Sequence, residues 1–235
     1  MKIFLDTTIL HEAFALRAGG DDWRAHYRLP GDAKLLTSQK NVAEMYGCLK
    51  TNMLEDPRFA KYGLNSSKKL RDILFNGADY LSIFWSHQVL ENTHRDSEDD
   101  RLDWRLTELI RWRNGYERVC SDFEEFLEVE SIEWVLYGLL FREHEWQWKI
   151  MDLARETLMP SEDWEIVAAA CFAGADIFLT DDSKLVRLSW SLGWAPRPVF
   201  SFPEDLEKTI CELAAGLIKF RGDPPKKRSP SEPGQ

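Results

Sequence analysis

Two spacings of apolar residues alternate along the chain. In "KIFLD" (2–6) Ile3, Phe4 and Leu5 form a run too short for a helix, so they read as a buried strand that ends in Asp6. "ILHEAFALRAGG" (9–20) follows as a helical pattern that stops at Gly19 and Gly20, and "AKLLTS" (33–38) reads as a second strand. From Ser38 onward Val42, Met45, Tyr46, Leu49 and Met53 recur at helical spacing. Residues 64–158 carry long, charged, amphipathic helical patterns anchored by Trp and Leu, with almost no turn signals. The pattern then shortens again. "PSEDWEIVAAACFAGAD" (160–176) predicts a helix capped by Ser161 and closed by Gly174 in the left-handed position. "IFLT" (177–180) predicts a strand, "SKLVRLSWSLG" (183–193) a helix and "PVFSF" (198–202) a strand, before Pro203 opens a last helix to about Phe220.

Short apolar strands alternating with helices predict an α/β fold, a parallel sheet covered on both faces. Residues 1–220 are expected to form that domain, with a helical insertion over roughly 56–158 and a disordered tail at 221–235, where prolines and serines stand among charges. Ten tryptophans are many for the length, so most should anchor a core or an interface. The apolar stripes of the insertion are expected to pack on the sheet domain or on a second copy of the chain, which makes a homodimer one expectation.

Composition narrows the class. No apolar run approaches the ~20 residues of a membrane span, and no basic leader precedes a long apolar stretch, so neither a membrane partner nor a secretory signal is expected. Cys48, Cys120, Cys171 and Cys211 form no CxxC pair; Cys48 and Cys171 lie within apolar helical patterns and are expected to be buried, reduced thiols of a cytoplasmic protein. The net charge of −10 argues against binding nucleic acid through a broad basic surface. Residues 221–235 hold four basic and two acidic side chains, so the rest of the chain is more acidic still. A polyanionic partner would need a bound cation or a local basic patch.

Candidate chemistry collects where strands end, because ligands of parallel α/β sheets bind at the carboxyl ends of the strands. Asp6 ends the first strand, Asp181 and Asp182 follow "IFLT", and Asp163 lies in the first turn of its helix. Each also has an ordinary structural reading. The helix dipole favours Asp163, Asp-Asp-Ser is common turn and cap chemistry, and Asp6 before Thr7 and Thr8 can cap a helix. Glu44 lies off the Val42/Met45/Leu49 stripe and reads as exposed. The residues by themselves leave both readings open.

A resemblance weighs on the functional side. "IFLDTTIL", "LTSQKNVAEMYGCL" and "DWEIVAAACFAGADIFLTDDSKLV" resemble, in order, the three signature regions of PIN-domain nucleases, with an Asp opening an Ala-rich helix and an apolar strand ending in Thr-x-Asp. The resemblance covers roughly 1–55 and 160–205. It implies a PIN-like three-layer fold with a parallel sheet of about four to five strands and a large helical insertion. It also implies Asp6, Glu44, Asp163 and Asp182 as catalytic and metal-ligating acids, supported by Thr8, Thr180 and Asp181. The activity implied is metal-dependent endoribonuclease cleavage, with Mg²⁺ or Mn²⁺ as cofactor and RNA as partner. Compact members of the family suggest an antitoxin, or another protein partner held through the insertion.

The chemistry is coherent. Two carboxylates about 4 Å apart repel by roughly 4 kcal/mol at an effective dielectric of ~20, so a four-acid cluster holds protons or a cation. All-oxygen ligands suit Mg²⁺ or Mn²⁺, which activate water and neutralise charge on a scissile phosphate. The alternatives are a non-catalytic PIN-like scaffold that binds protein or nucleic acid, and a haloacid-dehalogenase-like phosphatase. The phosphatase needs a second Asp two residues after the first, where Thr8 stands. No HExxH, glycine-rich phosphate loop or serine-hydrolase elbow occurs. "RWRNGYER" (111–118) mixes Arg with Trp and Tyr and could stack bases, though a solvated helix face with buried aromatics reads as the stronger alternative; "RAHYR" (24–28) is comparable.

Overall fold

The computed structural model describes residues 1–51, 57–62, 100–136, 163–189 and 198–217. The Ser161 cap, the insertion at 63–99 and 137–162, the end of the helix expected at 183–193, and the tail lie outside the described residues. The chain divides into two compact units. One comprises Met1–Arg17, Asp21–Met45 and Leu127–Gln235; the other comprises Ala18–Gly20 and Tyr46–Phe126.

The first unit is α/β. Its strands are β1 (Lys2–Leu5), β2 (Lys34–Ser38), β3 (Glu133–Val135), β4 (Ile177–Leu179) and β5 (Val199–Ser201). They form one five-stranded sheet in the order β3-β2-β1-β4-β5, every pair parallel. Seven helices occur among the described residues: α1 (Thr7–Gly19), α2 (Trp23–His26), α3 (Gln39–Thr51), α4 (Asp100–Val129), α5 (Asp163–Phe172), α6 (Ser183–Ser189) and α7 (Leu206–Ala214). Among the described residues no helix is long and apolar enough to cross a membrane.

The pairing registers explain the core. Phe4 lies opposite Phe178, which lies opposite Phe200, so one face of the sheet carries a ladder of three stacked rings with centroids 5.3 and 4.7 Å apart. Ile166, Val167 and the alanines 168–170 of α5 cover Phe4 and Phe178. Small alanines favour the helix and let its backbone come close to bulky rings. Successive strand residues face opposite sides. Ile3, Leu5, Ile177 and Leu179 are also fully buried, so the sheet is covered on both faces.

Two helix ends follow the expected punctuation, and a third glycine ends the last helix early. Gly174 takes φ +63° after α5, Gly20 takes +91° after α1, and each frees the chain to turn into the next element. Gly216, at φ +66°, ends the last helix well before Phe220; the Gly216 N–H donates to the Leu213 carbonyl and the Leu217 N–H to that of Glu212. Pro203 opens only a 3₁₀ turn, Pro203–Asp205, ahead of α7.

One strand stands within the stretch read as helical. α4 stops at Val129, Ser131 turns at φ +53°, and Glu133–Val135 then pairs with β2. Trp134 stays 47 % exposed on this edge strand. Two cysteines differ from expectation: Cys48 and Cys171 are half-buried instead of buried, while no disulfide occurs among the described residues.

The second unit is built on aromatic contacts. Phe59, Phe123 and Phe126 are fully buried; Phe59 stacks on Tyr62, and Phe123 on Phe126. The Tyr62 hydroxyl donates to Asp122 at 2.5 Å and the Tyr46 hydroxyl to Glu124 at 2.7 Å, so burial and a neighbouring carboxylate both hold these phenols protonated.

Candidate functional site

The strand order puts one position apart from the rest. From β1 the chain moves outward to β2 and β3, then crosses back to β4 on the far side of β1. Crossovers that leave to opposite sides open a crevice at the carboxyl end of the strand where the order reverses. Asp6 is the first residue beyond that end of β1, and Thr180 the first beyond β4.

Asp6 is only 4 % exposed. The Thr180 hydroxyl donates to its Oδ2 at 2.7 Å, and the Thr8 hydroxyl donates to the same oxygen over a longer 3.3 Å. Both hydroxyls also accept from the loop after β4: Thr180 from the Asp182 N–H at 3.0 Å, Thr8 from the Asp181 N–H at 3.3 Å. Two threonines thus relay that loop to one carboxylate oxygen. Burial pushes the Asp6 carboxyl up to about 6, against the pull of the hydrogen bonds from Thr180, the Thr7 N–H and Thr8, and the negative charge of Glu44 raises it further. No cation of the described residues is among those causes.

Glu44 is not the solvent-facing residue its spacing suggested. Its side chain is 30 % exposed, its Oε2 accepts from the Thr7 hydroxyl at 2.6 Å, and Lys40 lies 3.6 Å from Oε1. Thr7 and Thr8 therefore divide the work at the start of α1, one holding Glu44 and the other Asp6. Asp182 is half-buried and caps α6, its Oδ1 accepting from the Lys184 N–H at 2.7 Å. Asp181 is exposed, and partial burial followed by the charges of Glu204 and Glu12 raises its carboxyl. Asp163 is half-buried at the first position of α5. A helix leading into a parallel strand begins at the edge where the strands end, so Asp163 stands on the same edge as Asp6.

Asp6 and Glu44 are thus brought together with three hydroxyls. Asp163 and Asp182 do not complete a set with them: among the described residues no three His, Cys, Asp or Glu side chains are gathered closely enough to hold a metal ion. Comparisons with family models, curated proteins and solved structures give no match.

Asp6, Glu44 and the three hydroxyls offer oxygen atoms, the donor type a hard divalent cation takes, from two acids instead of the expected four. Among the described residues Lys40 brings a side-chain nitrogen to this pair, and it lies against Glu44. The described residues of the basic motifs, by contrast, are engaged within the chain. Arg24 bonds Glu130 at 2.7 Å and Arg28 pairs with Glu207, while Arg118 donates to the carbonyls of Asn114 and Tyr62. Tyr27 and Tyr116 are buried. The side chains of Arg111, Trp112 and Arg113 lie outside the described residues.

Sequence reasoning passed over Thr37 and Asn41. Asn41 is fully buried, and Thr37 with it, at the junction of β2 and α3. A polar residue four positions before Met45, on the apolar stripe of α3, was the available signal.

Proposed function

We propose that this chain is a PIN-type, metal-dependent endoribonuclease whose Mg²⁺ or Mn²⁺ is held by Asp6 and Glu44, the two of the four expected acids that interact with each other in the described residues. One observation carries the reading. A carboxylate buried to 4 % exposure stands at the reversal point of a parallel sheet, beside a second carboxylate, and no cation of the described residues offsets its charge. A protein gains nothing in stability by burying such a charge. A divalent ion changes that balance, since it favours the ionised carboxylate and the acidic pair alike.

When bound, the ion supplies an activated water and neutralises charge on the scissile phosphate. Thr180 and Thr8 hold the Asp6 carboxylate in one orientation, and Thr7 holds Glu44. The hydroxyls leave the acids' charge intact, so they orient ligands without competing for the cation. The overall negative charge of the chain makes such an ion the means by which RNA can approach.

The test is cleavage of labelled RNA in Mg²⁺ or Mn²⁺ by the full chain and by Asp6→Asn. The expected result is cleavage that depends on the metal and falls by orders of magnitude in the variant. Wild-type rates from the variant would mean that Asp6 is only a helix cap, because Asn caps about as well as Asp. A wild-type chain that binds RNA without cutting it would be a PIN-like scaffold. The fold allows an antitoxin, a homodimer or another protein partner as further proposals, to be read from copurification and oligomeric state.

A further inference from the structure

The sheet ladder between β1 and β2 ends one residue short of the site. Register pairs run Lys2 with Lys34, Ile3 with Leu35 and Phe4 with Leu36. The next carbonyl, that of Leu5, is taken instead by two side chains: the Thr37 hydroxyl donates to it at 3.0 Å and the Asn41 Nδ2 at 2.9 Å. Asn41 Nδ2 also donates to the Thr37 hydroxyl at 3.2 Å, which closes a triangle of bonds. On the other side of the same peptide, the Asp6 N–H donates to the Leu179 carbonyl at 3.1 Å. The peptide unit that joins Leu5 to Asp6 is therefore clamped at both ends.

Asn41 belongs to the first turn of α3, whose cap is Ser38, the Ser38 hydroxyl accepting from the Asn41 N–H at 3.0 Å. Glu44 follows three residues later, so the two side chains are neighbours on the helix surface. One amide thus ties the helix that carries Glu44 to the peptide that carries Asp6. Its orientation is settled by its partners, since the Leu5 carbonyl can only accept. The Asn41 Oδ1 is left buried and without a hydrogen-bond partner among the described residues. An apolar residue at position 41 would leave no such orphan, so the amide is costly as mere packing.

We propose that Asn41, assisted by Thr37, is a positioning residue that fixes the separation of the Asp6 and Glu44 carboxylates. This inference rests on the metal-site reading above. Asn41 touches neither substrate nor ion in this role; it acts through the Leu5–Asp6 peptide and through the first turn of α3.

The probe is Mn²⁺ alone, titrated calorimetrically into the full chain near neutral pH, with melting of the metal-free protein measured alongside. Asn41→Leu should weaken Mn²⁺ binding by about 10- to 100-fold, the usual range for losing a group that orients a metal ligand. Thr37→Val should weaken it less, in the same direction, because Asn41 still holds the carbonyl. A structural role alone would lower the melting temperature and leave the Mn²⁺ affinity at the wild-type value, and that result would overturn the inference. If Asn41→Leu does not fold, Thr37→Val decides: weaker binding supports the inference and unchanged binding overturns it. Wild-type protein that binds no Mn²⁺ would overturn the nuclease reading itself, and this inference with it, before any variant is compared.

Discussion

Replacing Asp6 by Asn tests the site without any substrate. In the folded chain the Asp6 carboxyl is raised to about 6 from 3.8. Between these values the folded state binds more protons than the unfolded state, so stability falls as pH rises through the window and is level above it. At about 1.4 kcal/mol per unit, the raised carboxyl costs the metal-free protein roughly 3 kcal/mol at pH 7. Asn resembles the neutral acid in shape and its one oxygen can still accept from both Thr180 and Thr8, but its amide N–H₂ replaces the second carboxylate oxygen and needs an acceptor there. That mismatch returns about 1 kcal/mol, leaving a net gain of roughly 2 kcal/mol. For a chain of this size that is a rise in melting temperature of about 4–8 °C in EDTA at pH 7. The gain should shrink on acidification, vanish near pH ~4.5, where the remaining cost of the charge equals the mismatch, and turn into a loss of about 1 kcal/mol below pH ~3, where the wild-type carboxyl is neutral in both states. Added Mn²⁺ should raise the melting temperature of the wild type and leave the variant unmoved. A variant no more stable than wild type at pH 7, or a gain that persists at pH 4, would refute the claim that Asp6 is a buried charge awaiting a cation.

Other perturbations bear on the elements that hold the site. Thr180→Val keeps the shape and removes both the bond to Asp6 and the acceptor for the Asp182 N–H; the Asp6 carboxyl should rise further, seen by carbon NMR of its titration, with a loss of about 1–3 kcal/mol in urea unfolding. Phe178→Ala removes the middle ring of the sheet ladder and should cost about 3–5 kcal/mol by the same measurement. Gly174→Ala meets only the Lys2 Nζ, 3.8 Å from the added carbon, so its cost of about 1–2 kcal/mol in thermal unfolding should come from φ +63° alone.

Much of the sheet was legible because its central strands β1 and β4 are almost wholly buried, and burial leaves unbroken apolar runs. Ile3–Leu5 and Ile177–Leu179 are such runs, and both are strands. β3 was illegible for the opposite reason. It is three residues long, Glu133 and Trp134 face solvent, and no alternation develops at an edge. At the site, Asp6 could be singled out from the residues alone because a strand end is a rigid landmark, whereas Thr180 and Glu44 entered only through the resemblance. For Glu44 the helical spacing reports which face meets the apolar core and is blind to a half-buried carboxylate held by Thr7. Asn41 was hidden differently: its role lies in bonding a backbone carbonyl, and backbone partners leave no trace in side-chain periodicity.

The placement of β1 beside β4 also has a consequence in time. Asp6 and its hydroxyl partner Thr180 are 174 residues apart. At synthesis rates of about 5–20 residues per second, Thr180 joins the chain roughly 9–35 s after Asp6 has been added. Through that interval the central strand lacks one of its two neighbours, and the carboxylate has no Thr180 to orient it. The nascent chain therefore carries the acid long before it can carry the site, and the apolar edge of β1 is the stretch a ribosome-bound intermediate must keep from pairing elsewhere.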